Sequence, residues 1–210
     1  MPGLAPPRQA RSARTLSAVL AAAERLLARH NPQEVSIADI CRESGVTTGA
    51  FYARFRDRNA LFDLLESQVL EAFDAMGRQV FDGRPDASET LASLLTVAVR
   101  RIAGLYSTHR GVIRGLNLRA LDDADLASRL GRFNKRLVAR AAERLAAHRR
   151  EIRHPRPREA SRQVVTWLVT ILRQDILFGE LALRGRPAGG TRLDDLVHLA
   201  LAYLSYEAAP

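Results

Sequence analysis

The sequence predicts an all-α protein with a small N-terminal three-helix domain, residues 1–57. A long fourth helix joins it to a larger helical domain, residues 58–210. Three observations carry this expectation. Apolar residues recur at 3.6-residue spacing in almost every segment. No stretch shows the period-two alternation of a half-exposed strand. The helical runs are separated by Gly, Pro and Asn breaks near residues 31–32, 45, 83–86 and 149–158.

The bulk composition suits this reading. At 47% hydrophobic, a chain of 210 residues can bury a sizeable core. No run of eighteen apolar residues suggests a membrane span. The single cysteine, Cys41, excludes an internal disulfide and fits a reducing compartment. The N-terminal apolar stretch is interrupted by Glu24 and Arg25, and no small-residue cleavage site follows it, so a cytoplasmic protein is expected. The formal net charge is +9. Residues 1–58 hold nine Arg and five acids, a net +4, which leaves 9 − 4 = +5 beyond them. The charge permits a polyanionic partner without locating it.

In chain order, Leu16, Val19, Leu20, Ala23, Leu26 and Leu27 share one helical face. Arg8, Arg11 and Arg14 precede this helix as a flexible basic arm. Pro32 ends it by disfavouring helical geometry at Asn31. Ser36 N-caps the second helix, with Asp39 three residues on as a capping-box partner. Gly45 supplies the left-handed residue that closes it. The third helix runs from Thr47 or Thr48 to about Phe55, and Asp57 caps the fourth. The fourth carries the stripe Leu61, Phe62, Leu65, Val69, Phe73 and Met76. Asp86 or Ser88 opens a fifth helix, a short one spans Val112 to Leu118, and Asp122 starts a long one. Arg149 to Arg158 reads as a solvated, arginine-rich loop. From Val164 to Leu172, and again from Leu196 to Leu204, nearly every position is apolar. A helix apolar all round has no face for water, so a second copy of the chain is expected to cover these helices, near residues 159–184 and 192–208.

The segment Ser36 to Leu61 is therefore a helix, a tight turn and a short helix. At Thr15, Ser36-Ile37-Ala38-Asp39-Ile40, Gly45-Val46-Thr47, Gly49, Phe51-Tyr52, Phe55, Arg58 and Leu61 the chain resembles the TetR family of bacterial one-component repressors. The specific resemblance covers about the first quarter to third of the chain. It departs from the family pattern at Arg54, where His is usual, at Arg58, where Lys is usual, and at Cys41, where Ala is usual. The resemblance implies a ligand-responsive repressor that binds a palindromic double-stranded DNA operator as a homodimer. A DNA-binding or architectural protein without a ligand switch is the alternative.

Residue chemistry supports a DNA-reading role independently. Ser36 belongs to the expected interface as the cap of the supporting helix. Thr47 and Thr48 open the recognition helix with hydroxyl donors. Gly49 and Ala50 are small enough to let it approach base edges, and the Ala50 methyl suits a thymine methyl. Tyr52 lies one turn on from Thr48 and can donate to a phosphate. Arg54 and Arg58 can contact phosphate, with Arg adding a bidentate option. No motif locates an effector pocket. Phe62, Val69, Phe73, Tyr106, Asn117, Phe133, Trp167 and Thr170 are its candidates by residue type, though each also suits plain core or surface.

Catalysis is not expected. The five histidines lack metal-ligand spacing, and no glycine-rich phosphate loop or nucleophile elbow is present. No metal or cofactor is expected.

Overall fold

The structure is a computed structural model, which describes residues 8–83, 86, 88–178 and 192–207. Among the described residues every regular element is a helix. These are α1 (Arg8–Arg29), α2 (Ile37–Ser44), α3 (Thr48–Tyr52), α4 (Arg58–Phe81), α5 (Leu91–Thr108), α6 (Arg110–Arg119), α7 (Ala124–Ala146), α8 (Pro157–Phe178) and α9 (Arg192–Leu204). They form two compact units. One takes Met1–Val69 with His109–Asp123, the other Leu70–Thr108 with Ala124–Pro210. The expected division after residue 57 lies between elements, whereas the compact units divide inside α4 and place α6 with the first.

In the first unit α1 turns Val19, Ala22, Ala23, Leu26 and Leu27 inward. The expected flexible arm is instead helical. Arg11 and Arg14 lie on exposed early turns of α1, because no Gly or Pro interrupts the chain between Arg8 and Arg29. Glu43 of α2 accepts from Arg25 Nε at 2.7 Å and lies 3.3 Å from Arg29 Nη2, which ties α2 to α1. The Arg25 hydrogen bond holds the Glu43 carboxyl below its usual range.

The helix α6 packs on α1 through residues without side chains. A Cβ on Gly111 would lie 2.3 Å from the Glu24 carbonyl oxygen and 2.7 Å from the Ala28 nitrogen. One turn on, Gly115 faces the side chains of Leu27 and Pro32. Around this close approach His109 Nδ1 lies 3.1 Å from Glu24 Oε1. Arg114 donates to the His30 carbonyl at 2.9 Å and to Asn31 Oδ1 at 3.1 Å. It thereby satisfies a carbonyl that the end of α1 leaves unpaired.

In the second unit α7 packs on α8, while α5 packs on both α8 and α9. The cap of α5 is Thr90, not Asp86 or Ser88 as expected. Ser93 N donates to Thr90 Oγ1 and Thr90 N to Ser93 Oγ, both at 3.1 Å, a reciprocal cap. Glu151, sixty residues away, also accepts from Leu91 N at 3.1 and 3.0 Å. Likewise α7 begins at Ala124 rather than at Asp122.

The arginine-rich loop is more than a solvated link. His148 is buried between Glu89 and Glu151, 3.0 Å from each. Arg153 N and His154 N both donate to the Leu204 carbonyl at 3.0 Å and close the end of α9. The buried His154 ring stacks 5.0 Å from Tyr203, and its Nδ1 accepts from Arg156 N. The arginines point to water while the backbone between them is docked.

The expectation that α8 is apolar on every side needs correction. Gln163, Thr166, Trp167, Thr170 and Gln174 form its exposed stripe, and only Trp167 among them is a large apolar residue. On α9 the exposed stripe includes Asp195, His198, Leu199 and Ala202.

Candidate nucleic-acid interface

The interface begins with two caps. Ser36 is extended, its Oγ accepts from Asp39 N at 3.1 Å, and Asp39 Oδ2 accepts from Ser36 N at 3.2 Å. The hydrogen bonds from the Ser36 hydroxyl and amide, then Arg42, keep the Asp39 carboxyl below its usual range. Gly45 ends α2 at φ 68°, in the left-handed region, and its N–H returns to the Cys41 carbonyl. Cys41 itself is buried, as a small core residue would be. Two residues later Thr47 caps α3, its Oγ1 accepting from Ala50 N at 3.2 Å. The turn between the helices is thus set by one left-handed glycine and one hydroxyl.

The helix α3 is short and strongly two-faced. It ends at Tyr52, not at Phe55, and the chain then turns through Ala53 and Arg54. Phe51 is fully buried and Phe55 nearly so, their rings 5.3 Å apart. Thr47, Thr48, Gly49 and Tyr52 are exposed, and Ala50 is half-buried. Tyr52 is 53% exposed, and its ring stands edge-on to Phe51 at 5.6 Å between centres. A Cβ on Gly49 would meet nothing within 4 Å, so its smallness serves no internal packing. The structure brings the expected residues of α3 onto one outward surface.

Arg54 and Arg58 are placed differently. Arg54 donates to Ala50 O at 3.2 Å, to Ser12 O at 3.1 Å and to Ser12 Oγ at 2.9 Å. It fastens the end of α3 to α1. Arg58 donates to Gln33 O at 3.1 Å and Val35 O at 2.7 Å, with its guanidinium 5.7 Å from the Phe62 ring centre. It fastens the start of α4 to the turn before α2. The two arginine departures from the family pattern therefore have internal partners. Those contacts join residues 42 and 23–25 apart, and no spacing in the sequence announced them. Arg56 was missed as a candidate: it is 82% exposed just after α3 and pairs with Asp57 at 3.1 Å. Its only signal was its place in the turn between two helices.

The described interior cavities are small. The first unit holds one of about 10 Å³, lined by Leu27, Pro32, Phe62, Leu65, Val112 and neighbours. The second holds an apolar one of about 20 Å³, between Phe81, Leu95, Ala98, Leu145, Val165 and Leu168. Each has room for about one water. Of the expected pocket residues, Phe62 lines the first and none lines the second. Val69 and Asn117 belong to the first unit, where the Asn117 amide donates to Ile113 O at 2.8 Å. In the second unit Phe73 and Tyr106 are buried edge-to-face at 5.2 Å. Burial pushes the Tyr106 hydroxyl up to about 12. Phe133 is half-buried beneath Arg136, Trp167 lies against Tyr203, and Thr170 is exposed. These side chains do not surround a common described cavity.

Residues 19–65 match the model of the bacterial regulatory proteins, tetR family. This is a TetR-family DNA-binding domain. Its match covers the cap, turn and recognition helix described above and continues into α4. The rest of the chain shares the TetR-family fold, as solved structures show. NalD, the secondary repressor of the MexAB-OprM multidrug efflux pump in Pseudomonas aeruginosa, superimposes with a TM-score of 0.64 at 22% identity, covering 93% of this chain and 98% of that one. GusR of Salmonella enterica gives 0.61 at 17% identity over 97% and 99%. The fatty acid degradation regulator FadR from Bacillus halodurans gives 0.62 at 15% over 91% and 94%. Among curated proteins none matches the chain by sequence. At these identities the likeness over the whole chain is one of fold alone, and the match to bacterial regulatory proteins of the tetR family lies within residues 19–65. Among the described residues no cluster of His, Cys, Asp and Glu is disposed to hold a metal. No helix among them is long and apolar enough to cross a membrane.

Proposed function

We propose that this chain is an effector-responsive repressor that binds a palindromic operator as a homodimer. The observation that carries the reading is the outward face of α3. Thr48, Gly49 and Tyr52 are exposed on a helix whose opposite face, Phe51, is buried. Thr48 and Ala50 read base edges, while Tyr52, Thr47 and Arg56 meet phosphates. Ser36 holds α2 behind them. Arg54 and Arg58 brace the helix and approach phosphate from the braced positions. Two such heads fit successive major grooves roughly 34–36 Å apart, so a modest change in their separation releases the operator.

The homodimer is supported by exposed apolar side chains on α8, α9 and the residues that follow. Trp167 is 40% exposed, Leu199 56% and Tyr206 56%. A second copy that covers them stabilises the dimer by about 25 cal/mol for each Å² of apolar surface removed from water. The two interior cavities among the described residues are too small for an effector, which keeps one other reading, a DNA-binding protein with no ligand switch. Loss of operator binding on adding an effector separates the two.

Selection of bound sequences from random DNA tests the proposal. A palindromic consensus is expected, with affinity falling steeply as salt rises. Enrichment of no sequence, or of one unpaired half-site, overturns it.

A further inference from the structure

We propose that the groove between α7 and α8 is a binding site for a small organic anion with an aliphatic body. The groove is open to solvent along one side and has a volume of about 440 Å³, within the size range of ligand sites. The interior cavities described above hold about one water each. Ala142 and Ala146, one turn apart on α7, line it with methyl groups. Arg149, Arg158 and Arg162 stand along it, with Glu143 the one acid among its described lining residues.

These three arginines are exposed, and their guanidinium groups have no ion pair among the described residues. Of the other arginines in this loop, Arg153 pairs with Glu207 and Arg156 with Glu159, while Arg150 is exposed beside Arg149 and adds to the positive charge. Three like charges around one concavity focus a positive potential into it. A guanidinium fork matches carboxylate or phosphate in two parallel hydrogen bonds. The alanine side offers no hydrogen-bonding side chain, so it suits methylenes rather than a second polar group or a polyphosphate. The ligand's head therefore lies against the arginines and its chain along the alanines.

The inference deepens the regulator reading by naming an effector class, and rests on it only for the effect on DNA. Calorimetric titration of the full chain without DNA tests it, using octanoate, octyl phosphate and octanol. Both anions are expected to bind and octanol is not. A preference between the anions assigns the headgroup. The double variant Arg158→Ala/Arg162→Ala should weaken anion binding at least about tenfold, because two charged hydrogen bonds are lost. Its unfolding midpoint should stay unchanged, since neither side chain has a hydrogen-bond or ion-pair partner among the described residues. Ala146→Phe, which fills the apolar side, should also weaken binding. Equal affinity for octanol, unchanged binding by the double variant, or no binding at millimolar anion overturns the site. Operator binding is measured separately on the ligand-free protein. A chain that binds octanoate but no DNA keeps the groove and loses the regulator reading. Release of a bound operator by octanoate requires both.

Discussion

Gly45 and Tyr52 show how much of the interface rests on single residues. Gly45 sits at φ 68° with open space where a Cβ would point, so only its backbone conformation demands glycine. Gly45→Ala should cost about 1–2 kcal/mol, read as a lower urea midpoint with unchanged slope. Tyr52 is the opposite case, an exposed residue whose hydroxyl has no hydrogen-bond partner among the described residues. Tyr52→Phe should leave the unfolding midpoint alone and weaken binding to all DNA sequences by a similar factor, whereas Thr48 substitutions should shift sequence preference. Unchanged DNA affinity in Tyr52→Ala would remove Tyr52 from the interface. Tyr106 marks the other unit. Its hydroxyl ionises at about 12 when folded against a usual 10.0. Its raised value means that its contribution is complete below pH 10 and is lost as pH rises towards 12. Absorbance titration should show one of the four tyrosines ionising last, and Tyr106→Phe should blunt the alkaline loss of stability.

At the scale of elements, the packing of α6 on α1 is the tightest constraint described. Gly111→Ala places a methyl 2.3 Å from a backbone oxygen, which no side-chain rotation relieves. It should destabilise by about 1–3 kcal/mol in thermal or urea unfolding, or force α6 away from α1. Gly49→Ala, with nothing within 4 Å, should leave stability nearly unchanged and alter only DNA binding. The cap of α2 makes a pH prediction. Asp39 and Glu43 are both depressed below their ordinary 3.8 and 4.5. Their contribution is present above those values and is lost as pH falls through the lower folded ones. Circular dichroism between pH 5 and pH 2 should show acid destabilisation that is smaller in Asp39→Asn.

At the scale of the molecule, the two units differ in what they leave open. The first presents a braced helix with polar and small residues outward. The second leaves Trp167, Leu199 and Tyr206 exposed in the single chain. Leu199→Arg should therefore lower the mass measured by light scattering from dimer to monomer without lowering helix content. A wild-type mass of one chain would remove the dimer proposal and, with it, the palindromic operator.

The all-α class, the capped helix-turn-helix and the TetR resemblance were legible in the sequence because they rest on local physics. A serine with an aspartate three residues on, a glycine at a helix end and a 3.6-residue apolar rhythm act within one or two turns. Phe51 inward and Tyr52 outward follow from adjacent positions on one helix. What the sequence left undecided depends on contacts between distant residues. Arg54 bound to Ser12, Glu151 capping α5, and Gly111 pressed against Glu24 and Ala28 each join segments 42 or more residues apart. Only the folded chain decides which charges are already paired, and so which arginines remain for a ligand or for DNA. Among the described residues the pocket candidates chosen by residue type line no common cavity, because a cavity is the space several helices leave unfilled and no single helix encodes it.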